Sequence, residues 1–88
     1  MKTIVASVGH GGLNRTDDVR LVQELLNRHM QPPQRPLVID GIMSPRIIAA
    51  IEAFQRRVLH MPRPEGCIRP GDSTMMALMR QAEQPPLS

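Results

Sequence analysis

At 88 residues the chain is sized for one domain and is too short for two packed ones. Hydrophobic residues make up 41%, enough for a core, but Phe54 is the single aromatic, which argues against ring-stacked sugar recognition and single-strand nucleic-acid binding. Eleven cations against eight anions leave a net charge of +3, and because ten scattered arginines and Lys2 are interspersed with Asp and Glu, no basic stripe marks a nucleic-acid footprint.

Met1 to Val8 carry one lysine and a short apolar run without the hydrophobic region of an export signal. No stretch is long and apolar enough for a membrane span. Gly9-His10-Gly11-Gly12 reads as a loop, so residues 1–16 are expected to form a flexible lead-in. Thr16, Asp17 and Asp18 then supply an N-cap and negative charge for a helix. Val19, Val22, Leu25 and Leu26, flanked by Leu21, recur at helical spacing and predict a first helix over 17–30, ended by Pro32, Pro33 and Pro36.

Leu37-Val38-Ile39 is a short extended run closed by the turn dipeptide Asp40-Gly41. Ser44-Pro45 places a cap residue before a proline at the first helical position, where the missing N–H costs nothing. Ile47, Ile51, Phe54 and Val58 then predict a second helix over 45–60, with Glu52 and Arg56 paired on its polar side. Pro62 and Pro64 end it. Asp72 or Ser73 caps a third helix over 72–81, and residues 82–88, with Pro85-Pro86, read as a frayed tail. The expected core is Val22, Leu25, Leu26, Ile51, Phe54 and Leu78.

The third unit repeats the second. Glu65-Gly66-Cys67-Ile68-Arg69-Pro70 parallels Asp40-Gly41-Ile42-Met43-Ser44-Pro45, and after a two-residue insertion Thr74 to Leu78 parallels Ile47 to Ile51. The fold class predicted is all-α, a three-helix domain over 17–81 in which two related Asp/Glu-Gly turns each launch a helix.

Catalytic chemistry finds no foothold in this pattern. His10, His29 and His60 lie far apart without a metal-ligand spacing, and the lone Cys67 occupies an apolar slot of the repeat. Three short helices leave little room for a glycosidase cleft, and Gly9-His10-Gly11-Gly12 lacks the Lys-Ser/Thr of a phosphate loop. The expectation is therefore no enzyme, no metal and no cofactor. Asp40-Gly41 has two readings, a self-bonded turn or a ligand contact. Gln55 bonds either a loop backbone or a ligand, and Arg46, Arg56 and Arg57 either grip carboxylates or line a solvated face.

Asp18-Val19, Val22-Gln23, Leu25-Leu26-Asn27, Asp40-Gly41-Ile42, Pro45, Ala50-Ile51, Phe54-Gln55, Glu65-Gly66, Pro70-Gly71, Thr74 and Leu78 together resemble the small peptidoglycan-binding domain family. These are three-helix modules attached to cell-wall amidases, muramidases and carboxypeptidases. The likeness spans about residues 8–80, and Ser7-Val8-Gly9, Gly11-Gly12 and Asn14 are similar to the lead-in of modules that precede wall hydrolases delivered by contact-dependent secretion. The resemblance implies a non-catalytic module that binds peptidoglycan or its stem peptide and localises a hydrolase or secreted effector carried by another chain. Candidate ligand contacts are Asp40, Gly41, Ser44, Arg46, Gln55 and Arg56. It also implies synthesis in the cytoplasm and action in the periplasm or cell wall after delivery by a secretion machine or partner.

Three positions depart from the family pattern: Ser44 stands for a glycine, Ile47 for a threonine and Glu65 for an aspartate. These departures, with Met75, Met76 and Met79, keep a second expectation open, a protein–protein adaptor of a type VI-like secretion effector that has lost wall affinity.

Overall fold

The apolar spacing of the sequence becomes three helices, α1 (Thr16–Arg28), α2 (Pro45–Val58) and α3 (Ser73–Glu83). The computed structural model describes residues 3–30 and 35–83. The expected stop at Pro32 and Pro33 and the tail beyond Glu83 lie outside them. All six expected core residues are buried, joined by Val19, Ile47 and Met75 from the helices and by Leu37 from the first connection. Among the described residues no helix is long and apolar enough to cross a membrane.

The chain is helical, yet all-α is too coarse. Val8–Gly9 (β1) pairs antiparallel with Cys67–Ile68 (β2), Val8 opposite Ile68 and Gly9 opposite Cys67. Residues 3–15 are consequently not a flexible lead-in. Ile4 and Val8 are core residues, and the backbone between them is held by a residue that the sequence assigned elsewhere. Asp18 is buried in the first turn of α1, where it accepts the amides of Val5 and Ala6 at 2.9 Å each. The residue before the helix, Arg15, makes no side-chain cap. Asn14 closes the following loop, accepting the Gly9 amide at 2.7 Å and donating to the Gly9 and Gly12 carbonyls. Gly9 has no freedom to be another residue, because its φ is +121° and a Cβ there would lie 2.2 Å from the Gly66 carbonyl oxygen.

Ser44 caps α2 through the Ile47 amide at 3.4 Å, with Pro45 at the start of the helix. Of the two candidates for α3 it is Asp72 that caps, accepting from Met75 at 2.8 Å and from Arg69 at 2.9 Å.

The two duplicated turns are fixed by two buried glutamines. Gln23 of α1 accepts the amides of Asp40 at 3.1 Å and Gly41 at 2.9 Å, and donates to the Asp40 carboxylate at 2.9 Å. Gln55 of α2 accepts the Gly66 amide at 2.9 Å and donates to the Cys67 carbonyl and the Thr74 hydroxyl. Each side chain thus spends both ends of its amide inside the fold. Replacing Gln55 with leucine strands a buried amide, a carbonyl and a hydroxyl, each costing about 1–3 kcal/mol when unsatisfied. Gln55→Leu is expected to lower unfolding free energy by at least about 3 kcal/mol, out of roughly 4–13 for a chain of this size. Urea denaturation checks this, and an unchanged midpoint would remove Gln55 as an anchor.

His29 closes the end of α1 against the core. Its ring centroid lies 5.0 Å from that of Phe54, and Nε2 is 3.4 Å from the Leu78 carbonyl oxygen. Burial pushes its pKa below the ordinary 6.5; the hydrogen bond to Leu78 opposes this, and the Arg57 and Arg28 cations add to it. The folded ring therefore resists a proton that the unfolded chain accepts, so stability falls as pH drops below 6.5 toward the folded-state pKa. Comparing urea midpoints at pH 7.5 and 5.5 should show a smaller loss in His29→Gln than in the parent. An equal loss in both would place the sensitivity elsewhere.

Candidate functional site

Pinning of the first turn by Gln23 leaves a depression of about 230 Å³ between the Leu37–Ser44 connection and the start of α2. Its floor is buried and rigid, formed by Gln23, Leu37 and Ile47, and its rim is formed by Val38, Asp40, Ile42, Ser44 and Arg46. Leu37 is held in place because its amide donates to Asn27 at 2.6 Å and its carbonyl accepts from the same side chain at 2.9 Å. The walls of this site are therefore tied to α1 at both ends of the extended run.

The candidate ligand residues divide. Asp40, Ser44 and Arg46 come together on the rim. Asp40 keeps an exposed carboxylate, and its pKa lies below 3.8 because the Gln23 amide and the Ile42 N–H both donate to it, with Arg20 adding a favourable charge against the cost of desolvation. Arg46 is exposed and donates through Nη2 to the Arg35 carbonyl at 2.8 Å, which uses one of five guanidinium donors. Ser44 is engaged as the helix cap but half-exposed.

The other three leave the site. Gln55 is fully buried and wholly occupied by Gly66, Cys67 and Thr74, so of its two readings the loop backbone holds. Gly41 is buried at φ +74°, and a Cβ on it would meet the Thr16 carbonyl oxygen at 2.9 Å, so the absence of a side chain there serves the turn. Arg56 is exposed on α2 outside the depression, and Arg57 donates to the His29 carbonyl at 3.4 Å.

Sequence reasoning missed the apolar part of the rim. Val38 and Ile42, which flank Asp40 in the chain and line the depression, are 70% and 66% exposed, and Ile39, outside the lining, is 45% exposed. The available signal was that these residues belong to no helical stripe that could bury them. The methionines also divide: Met75 is core, Met79 packs against it, and only Met76 of the three is exposed.

Two differences between the units, Ile47 against Thr74 and Asp40 against Glu65, share a physical cause. Ile47 is core, 2% exposed, and offers no hydroxyl to Gln23, whose amide donates instead to Asp40. In the second unit Thr74 occupies the corresponding place and receives the Gln55 amide, which frees Glu65 to pair with Arg69 at 3.1 Å on the surface. Gln23 thus finds its side-chain acceptor in the Asp40 carboxylate, and Gln55 finds its own in the Thr74 hydroxyl.

Among the described residues no three His, Cys, Asp or Glu side chains converge to hold a metal ion. Cys67 is buried and burial raises its thiol pKa, so it presents no thiolate. Compared as a whole, the chain matches no family model, no curated protein and no solved structure.

Proposed function

We propose that this chain is a peptidoglycan-binding-like domain, a non-catalytic module that docks on the cell wall through the first turn and localises a wall-directed hydrolase or secreted effector carried by another chain. On this reading it acts in the periplasm or wall after delivery by a secretion machine or partner. The observation that carries the proposal is the meeting of Asp40, Ser44 and Arg46 on one depression with a fixed floor. A carboxylate acceptor and a guanidinium donor on the same rim suit a short peptide that bears both an amine and a carboxylate, as wall stem peptides do. With Phe54 buried and no tyrosine or tryptophan in the chain, no such ring faces outward to stack on the glycan, so the peptide is the part recognised.

A second reading, the protein adaptor, draws on Val38, Ile39 and Ile42, whose exposed apolar surface is more than a charged peptide requires. Co-sedimentation of the purified domain with insoluble peptidoglycan separates the two. Under the wall reading the domain is retained, salt weakens retention moderately, and Arg46→Gln weakens it by about tenfold, the loss of one charge-assisted contact. Arg46 is exposed, so the variant should keep the parent's urea midpoint. Absence of retention at every salt concentration would overturn the wall reading in favour of the adaptor.

A further inference from the structure

The duplicated turns differ in what covers them. At the second turn the chain's own β1 lies across β2: Gly9 faces Cys67, Val8 faces Ile68, and the His10 amide donates to the Gly66 carbonyl at 2.8 Å. The residues at the corresponding places of the first turn are Gly41, Ile42 and Met43. Among the described residues the Gly41 carbonyl and the Met43 amide have no hydrogen-bond partner, and no strand lies beside them. Ile42 is 66% exposed where its counterpart Cys67 is 7% exposed. The first turn is thus the second turn without its cover.

We propose that Gly41–Met43 is a strand-addition site that accepts an extended segment of a partner protein, antiparallel, with a small apolar residue followed by glycine. The chain supplies the template for that occupant in its own Val8-Gly9-His10. The turns share a positive-φ glycine, at +74° for Gly41 and +67° for Gly66, with its amide bonded to a buried glutamine, and at Gly66 the carbonyl accepts from the covering segment. In an antiparallel ladder outward bonds recur at every second residue, so the Gly41 carbonyl and the Met43 amide and carbonyl receive the incoming strand, as Gly66 and Ile68 do. Glycine is required opposite Ile42 for the reason it is required at Gly9, where a Cβ would fall 2.2 Å from the Gly66 carbonyl oxygen. The exposed Ile42, Val38 and Ile39 give the added segment apolar surface to bury, and main-chain bonds supply the rest of the affinity. This site binds polypeptide backbone and stands whether or not the neighbouring depression holds a wall peptide.

The probe is a synthetic peptide copying residues 5–12, Val-Ala-Ser-Val-Gly-His-Gly-Gly, titrated into the isotopically labelled full chain and followed by amide NMR. Saturating shifts centred on Gly41, Ile42 and Met43 are expected. The same peptide with its central glycine, equivalent to Gly9, replaced by valine should lose binding at least tenfold, as should a peptide N-methylated on the residue that meets Gly41. Met43→Pro in the protein should abolish the shifts while leaving those of the α1–α3 core in place. The peptide variants carry the test on their own should the proline unfold the turn. Absence of shifts, shifts confined to Gly66–Ile68 through displacement of β1, or equal binding of the glycine and valine peptides would each overturn the proposal.

Discussion

Two buried primary amides set the geometry on which this domain depends. A glutamine side chain in a small core is costly unless every donor and acceptor is answered, because desolvation of an unpaired amide exceeds what a typical hydrogen bond returns. Gln23 and Gln55 meet that requirement by holding the backbones of Asp40-Gly41 and Gly66-Cys67. The glycines at those places sit at positive φ against helix backbone or side chains, so each turn is fixed both by what bonds it and by what excludes a side chain from it. The helices that follow, α2 and α3, inherit their entry points from these turns. An apolar core of this size could be assembled in several registers; two directional amides select one.

The satisfaction of those amides also explains how two copies of one unit came to carry different residues. A threonine hydroxyl at position 74 answers Gln55, whereas Ile47 at the matching place obliges Gln23 to find its acceptor in Asp40. Ile47 thus adds apolar volume to the core, and the acceptor for the glutamine moves to the turn itself. Asp40 is therefore both a structural acceptor and an exposed anion, and only its remaining lone pairs are open to a ligand.

The helices and their core were legible because apolar residues recur at the period that one helix face requires, and Ser44-Pro45 marks a helix start with residue types that do little else. The lead-in was not legible. Its apolar residues, Ile4 and Val8, stand four apart in a short segment of mixed character, and the acid that secures it, Asp18, occupies a first-turn position where acids are ordinary. A two-residue strand has no periodicity to detect, so β1 and β2 emerge only from the way that Gly9 fits against Gly66. For Gln55 the residue type admitted two roles, and burial alone decides between them. At the site, the charged rim of Asp40 and Arg46 could be named from the sequence, while the apolar rim could not, because an exposed Val38 or Ile42 is indistinguishable in sequence from a buried one.

The two turns differ in what lies across them. Equivalent backbone faces are covered at Gly66–Ile68 by the chain's own β1 and left open at Gly41–Met43. Covering the second face costs the chain a dedicated segment, held by Asp18, Asn14 and the β1–β2 ladder, and it places Val8 and Ile68 fully in the core. The first face is built to the same plan and anchored as firmly from beneath, yet it presents exposed valine and isoleucines beside an anion and a guanidinium. An edge held from beneath in this way has little backbone entropy of its own left to lose if a segment docks on it. The second turn is thus the closed copy of the unit, and the first the copy whose edge stays open.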